Sequence, residues 1–327
     1  MCAFERSEKG MEFFMKKVGL WMYENDNGIN VKNKLISLLK EKGYQVYEKF
    51  DMRECFVKNG KIYTKAGFCI SDLDILYHMN ADEQNQYQND ILKMIELSGV
   101  HVFNNFSAFE NCKDKAVTNL LLRKNGITVP NSYFVNNNMS YEFAKKIFEE
   151  FNEGIVVKPR RNHGGKGIIK FQDLETFWDF YIATHTIFSN YYVEEYIEFN
   201  EHDYRVEVFN NEVIGCYCRG KNGSYKTNIT SGGKMLALQV DNEFKNIALE
   251  AAKVLNITTT IVDMVKSDKD GKIYVLEVNP IMGIFLEEAM RAGTKMKIQK
   301  NIPEQFKSDD LKIKKIIEYI DNYFINK

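Results

Sequence analysis

The sequence predicts an α/β fold built from more than one lobe. Three observations carry this: a β-α-β alternation in the first hundred residues, a strand-dominated stretch beyond Tyr191, and two β-rich runs meeting at an Asp-Lys-Asp-Gly turn at residues 268–271. Alternating strands and helices imply a parallel sheet, whereas consecutive strands joined by short turns imply antiparallel pairing.

The elements follow in order. Residues 17–22 (KVGLWM) read as a strand, 31–42 as an amphipathic helix and 44–48 as a second strand. A strand at 73–77, a helix at 83–98 stopped by Gly99, and a short strand at 100–104 complete a first lobe spanning residues 11–110. That lobe carries no phosphate-binding glycine fingerprint. A helix then runs from Asn111 to Lys124 and ends at Asn125-Gly126, and the segment Ile127, Thr128, Val129, Pro130 opens an extended stretch. A helix at 140–151, a strand at 154–158, a glycine-rich loop at 160–167, a strand at 168–171 and a helix at 174–184 make up a second unit, 111–190. The third unit, 191–327, has strands at 191–197, 203–209, 212–219, 234–240, 260–266 and 273–278, a helix at 242–255 and a closing amphipathic helix at 309–324.

Composition bounds the function. With 327 residues and 44% hydrophobic content the chain can bury a substantial core. Its 44 basic and 45 acidic residues nearly cancel, so no global field draws it to nucleic acid or to an anionic membrane. No apolar run reaches membrane-spanning length, and the charged residues 1–10 lack the core of a signal peptide, so a cytoplasmic location is expected. The six cysteines contain no C-x-x-C pair and read as reduced core thiols.

Four segments carry chemistry. In GIVVKPRRNHGGKGI, Lys158 leaves an apolar strand directly before a loop holding Arg160, Arg161, His163, Lys166 and three glycines. Exposed amides and lysine charge beside a buried strand suit a polyphosphate, although a solvated basic hairpin has the same composition. In TTTIVDMVKSDKDGKIYVLEVNP, Glu277 and Asn279 project from one face of a strand, and pairing symmetric about residue 270 sets Asp263 opposite Glu277. Two carboxylates and an amide oxygen converging in apolar runs would be costly without compensation, and oxygen-only ligands favour magnesium or manganese. The bland alternative is an exposed edge hairpin with its acids in water. In YYVEEYIEF, Glu194 and Glu195 end an apolar strand and Asp203-Tyr204-Arg205 opens the next. Finally, residues 219–233 (RGKNGSYKTNITSGG) form a basic, glycine-rich loop after a strand.

The order of these motifs, from Asp-Lys on a helix through V-V-K, the glycine loop, E-E-Y-I, D-x-R and V-D to E-V-N, resembles the ATP-grasp superfamily and, within it, the RimK-like carboxylate-amine ligases. The resemblance covers roughly residues 100–290. It implies an ATP-grasp fold preceded by a parallel-sheet lobe, with ATP and Mg2+ or Mn2+ as cofactors. It also implies roles: Lys115 and Lys158 on nucleotide phosphates with Lys166 beside them, and Glu194, Glu195, Tyr196 and Ile197 as the hinge holding adenine. Asp203 would meet the ribose, Arg205 and Arg219 the phosphate and acyl-phosphate, Asn228 the nucleotide, and Asp263, Glu277 and Asn279 the metal. Departures at Lys226-Thr227-Asn228, at Pro280-Ile281-Met282-Gly283 and at Arg160 and Arg161 fall where an acceptor would bind. The expected reaction is acyl-phosphate formation on a carboxylate, followed by attack of an amine or hydroxyl.

For the substrate, one branch of these ligases macrocyclises ribosomally made peptides, and the expected partner is a precursor peptide with a leader segment. The rival readings are an amino-acid ligase acting on a small molecule or protein terminus, and a nucleotide-binding module without turnover. A homo-oligomer is left open.

Overall fold

The computed structural model describes residues 15–22, 29–79, 85–151, 153–162, 164–282, 287 and 302–327. Residues 1–10, the expected helix start at 83–84, His163 and Gly283 lie outside these.

The N-terminal lobe runs β1 (Lys17–Trp21), α1 (Ile29–Glu41), β2 (Gln45–Tyr47), a small hairpin of β3 (Phe56–Lys58) and β4 (Lys61–Tyr63), β5 (Ile75–His78), α2 (Gln86–Leu97) and β6 (His101–Phe103). Its sheet has the order β2-β1-β5-β6 with every neighbour parallel, as the β-α-β alternation predicts. Both faces are covered. Val18, Leu20, Ile75 and Tyr77 pack on α1, while Leu76 and Val102 pack on Ile91, Leu92 and Ile95 of α2. Such double burial explains the near-continuous apolar strands.

The expected single helix from Asn111 to Lys124 is a correction. The chain forms α3 (Phe106–Lys113) and α4 (Lys115–Lys124), broken at Asp114, whose extended backbone (φ −101, ψ 100) cannot continue a helix. The Asp114 carboxylate instead accepts from Val117 N at 3.3 Å and caps α4. Beyond it come β7 (Ser132–Asn136), α5 (Tyr141–Glu150), β8 (Ile155–Lys158), β9 (Ile169–Phe171), α6 (Leu174–Thr184) and β10 (Asn190–Glu195). These strands form an antiparallel sheet of order β7-β10-β8-β9.

The last sheet contains β11 (His202–Phe209), β12 (Glu212–Gly220), β13 (Lys234–Leu236), β14 (Thr259–Lys266) and β15 (Ile273–Val278), with α7 (Asn242–Val254) between β13 and β14. Its order is β13-β12-β11-β14-β15 and all neighbours are antiparallel. Period-two alternation divides its faces. Val206, Val208, Cys218, Val262, Met264 and Val278 share a core with Phe244, Ala248, Ala251 and Ala252 of α7. The helix α8 (Asp309–Ile325) closes the chain and packs Ile316 and Ile320 into the core that contains Val18 and Tyr77. Two expected strands are shorter than predicted: β10 ends at Glu195 and β13 at Leu236, because the chain leaves the ladder at both points.

Candidate active site

The face of the five-stranded sheet opposite α7 is charged. Cross-strand register sets Tyr217 opposite Arg205, Arg205 opposite Asp263, and Asp263 opposite Glu277, one row across four strands. In the row on one side Arg219 faces Asp203; in the row on the other Gly215 faces Glu207. Pairing symmetric about residue 270 therefore holds at Asp263 and Glu277, but it shifts by one residue beyond them, where Met264 pairs with Val275. The irregularity leaves Leu276 out of the ladder, so that Leu276 and Glu277 line the same cleft although they are consecutive.

That cleft, partly open to solvent, lies between this sheet and the β7–β10 sheet. Val156, Ile168, Phe199 and Leu276 give it apolar walls, and Lys115, Lys158, Asp203, Arg219, Asp263 and Glu277 give it charge. Glu194, Glu195, Tyr196, Ile197 and Asn228 also line it, while Lys166 stands on the exposed part of its loop, outside the lining.

Every charge here has a partner. Arg205 Nε donates to Asp263 Oδ1 at 2.7 Å, and Arg219 Nη2 donates to Asp263 Oδ2 at 2.8 Å. Arg219 also grips Asp203, with Nε at 3.1 Å from Oδ1 and Nη2 at 2.5 Å from Oδ2, and Thr227 Oγ1 donates to the same Oδ2 at 2.6 Å. Lys115 Nζ lies 3.0 Å from Glu277 Oε1, and Lys158 pairs with Glu194. Burial pushes the Asp263 carboxyl up, but Arg205 and Arg219 outweigh it and hold the group below the usual carboxylate range. For Arg219, burial acts downward and is outweighed by Asp263 and Asp203, which lift it above its ordinary value. Charges this deep are tolerated only as a compensated network.

Two loops roof the cleft. Lys226 Nζ donates to Gly165 O at 3.1 Å and Tyr225 OH to Ile168 O at 2.9 Å, which ties the basic loop to the glycine loop. Gly165 has φ +72, and a Cβ there would lie 2.3 Å from Asn228 Oδ1, so this contact requires glycine. On the other side Arg160 Nη2 lies 2.5 Å from Asp114 Oδ2 and Arg161 Nη1 donates to Glu110 Oε2 at 2.9 Å. Acids of the α3–α4 elbow thus neutralise both Arg160 and Arg161. The elbow is also why Lys115 reaches the cleft, since its amide donates to Arg160 O at 3.1 Å at the first turn of α4.

A divalent cation fits the donor set. Asp263 and Glu277 are opposite in register, and Asn279 Nδ2 donates to Ile261 O at 2.7 Å, which leaves its amide oxygen available as a donor atom to a cation. The internal cations that now balance these carboxylates mark the charge that metal and nucleotide would exchange.

Comparison with known proteins settles the family. Residues 112–304, more than half of the chain, match the RimK-like ATP-grasp domain. The chain belongs to the RimK-like ATP-grasp family. As such it is an ATP- and magnesium-dependent carboxylate-amine ligase. The coenzyme gamma-F420-2:alpha-L-glutamate ligase of Methanococcus maripaludis is 27% identical over 208 residues, covering 62% of this chain and 70% of the relative. The tetrahydromethanopterin:alpha-L-glutamate ligase of Methanosarcina acetivorans is 29% identical over 278 residues, covering 78% and 84%. Among solved structures, the ATP-grasp ligase PsnB complexed with a phosphomimetic variant of its minimal precursor, Mg and ADP aligns with TM-score 0.60 at 19% identity over 92% of this chain and 99% of that one. D-alanyl-alanine synthetase A of Vibrio cholerae aligns with TM-score 0.64 at 14% identity over 95% and 99%. These structural likenesses concern the fold.

Other residues in or beside the candidate site were given no role from the sequence alone. Tyr217 could have been found by counting across the ladder from Arg205, whereas Thr227, Phe199 and Leu276 depend on loop paths and the register shift, which leave no local signal.

Proposed function

We propose that this ligase activates a carboxylate as an acyl phosphate on the charged face of the five-stranded sheet. The observation that carries the reading is that Asp263, Glu277 and Arg219 line one cleft with Lys115 and Lys158, while Arg205 stands in register beside Asp263. In this reading Lys115 and Lys158 take the nucleotide phosphates, with Lys166 swinging in from the loop, and Glu194 to Ile197 flank the base. Asp203, buried and bonded to Arg219 and Thr227, lines the cleft on the side assigned to the ribose, and Asn228 supports the roof. Asp263, Glu277 and Asn279 hold the magnesium, whose role is to neutralise the transferring phosphoryl. Arg205 and Arg219 supply fixed positive charge where the phosphoryl and acyl oxygens gather theirs. The three lobes divide the work at residues 110 and 190.

For the substrate we propose Asp or Glu side chains of a ribosomally made precursor peptide, joined to its own hydroxyls or amines, with a leader segment bound away from the chemistry. Support comes from the departures from the family pattern at Lys226-Thr227-Asn228 and at Pro280 to Met282, whereas Lys115, Lys158, Asp263, Glu277 and Asn279 keep it. Intramolecular capture gives a tethered hydroxyl the effective concentration it needs to compete with water. A second reading, addition of glutamate to a small molecule or protein terminus, is supported by the names of the curated relatives.

Mass spectrometry separates the two. With ATP, magnesium and a peptide encoded beside the gene, the first reading expects loss of one water per linkage and no amino acid consumed. Added residue mass on an acceptor, with the peptide unmodified, would overturn it in favour of the second.

A further inference from the structure

Arg205 is held at two of its nitrogens. Nε donates to Asp263 Oδ1 at 2.7 Å, and Nη1 donates to the phenol of Tyr217 at 3.0 Å. Among the described residues Nη2 has no hydrogen-bond partner, and 14% of the side chain remains exposed. A guanidinium gripped at Nε and Nη1 has its plane fixed, so the direction of the free Nη2 is set by those two contacts. We propose that Tyr217 is a positioning residue that aims Arg205 at the transferring phosphoryl group, a role that rests on the anion-binding reading of Arg205 given above.

The surroundings of Tyr217 suit that task. Its ring is 1% exposed and meets Phe306 edge-on at 6.1 Å, and its hydroxyl is the cross-strand neighbour of the guanidinium that it holds. Gln305 Nε2 donates to Cys216 O at 3.0 Å, which pins β12 from the C-terminal segment beside Phe306. Burial pushes the phenol up to about 12, so Tyr217 stays neutral and accepts from Arg205 without cancelling its charge, unlike a carboxylate at the same place. A neutral partner on one side and Asp263 on the other leave the guanidinium aimed but still cationic on its open edge.

The test uses orthovanadate, a phosphoryl mimic, titrated by calorimetry onto the magnesium- and ADP-saturated protein. Tyr217→Phe, which removes only the hydroxyl and keeps the ring against Phe306, is expected to weaken vanadate binding about tenfold, equivalent to about 1.4 kcal/mol, with ADP affinity unchanged. In an Arg205→Lys background the same change is expected to have no further effect, because Tyr217 acts only through that guanidinium. A purely structural role would instead lower the melting temperature and weaken ADP and vanadate together. Wild-type vanadate affinity in Tyr217→Phe, or an undiminished tenfold loss in the Arg205→Lys background, would overturn the proposal. Failure of the wild-type protein itself to bind vanadate would overturn the anion role of Arg205, and the role of Tyr217 with it.

Discussion

The N-terminal parallel sheet and the five-stranded antiparallel sheet use the same kind of strand for opposite ends. In the first, Val18, Leu20, Ile75, Leu76, Tyr77 and Val102 are buried whichever way they point, because helices cover both faces. In the second, parity decides: Val206, Val262 and Met264 face a core, and Arg205 and Asp263 meet on the opposite, charged face. A polar residue therefore means different things in the two sheets. Buried His78 in β5 donates from Nε2 to Asn104 O and serves the lobe interior, whereas Asp263 in β14 is one member of a charged face.

The sharpest way to break this comparison is to change neighbours of opposite parity. Glu277→Gln, which keeps an oxygen acceptor for Lys115, is expected to lower turnover by at least about 10²–10³-fold, the scale of losing a transition-state electrostatic group, with little change in melting temperature. Met264→Ala, adjacent to Asp263 but on the buried face, is expected to cost about 2–5 kcal/mol of stability in urea while each folded molecule keeps its turnover. Similar stability losses in both variants would contradict the division of faces.

Nucleotide binding gives the next effect. Lys158→Ala is expected to remove most of the thermal stabilisation by saturating ATP, which for a ligand at a hundred times its Kd is about 2.7 kcal/mol. Arg219→Lys should keep that shift and lose turnover. Arg219→Ala is a poor test, because it strands buried Asp203 and Asp263 without their shared cation and is expected to cost about 3–5 kcal/mol by itself.

The parallel lobe supplies a contrast with pH. Burial pushes His78 down to about 4, so the folded state keeps it neutral while the unfolded chain protonates it. Its contribution is complete above about pH 6.5 and is lost as pH falls toward 4, by about 1.4 kcal/mol per pH unit. Urea unfolding of His78→Gln should show a flatter acid limb than the wild type, with the neutral-pH nucleotide shift untouched. The smallest effect is expected at the roof: Glu110→Gln loosens Arg161 and should change stability by no more than about 1 kcal/mol, less at high salt.

How much of this the sequence discloses follows from the same physics. Strand and helix types were legible throughout the charged sheet because period-two alternation is local, and the opposition of Asp263 and Glu277 followed from one turn. The break at Asp114 was not, since an Asp inside an apolar-periodic run reads as helix until its cap and its ion pair with Arg160 are seen. The hairpin β3–β4 was missed because strands of three residues offer too few positions for a pattern. The partners of Arg160 and Arg161 were hidden for a related reason: their acids, Asp114 and Glu110, lie 46 and 51 positions away in sequence.

The central claim is that one face of the five-stranded sheet holds the metal and the nucleotide together. Its most direct test is an electron paramagnetic resonance titration of Mn2+ in the presence of the non-hydrolysable analogue AMPPNP, which needs no knowledge of the acceptor. The wild-type protein and Met264→Ala are expected to bind Mn2+ alike, while Asp263→Asn and Glu277→Gln each weaken it by about tenfold or more as donors of the metal are lost. Mn2+ binding at wild-type affinity in the Asp263→Asn, Glu277→Gln double variant would contradict the account.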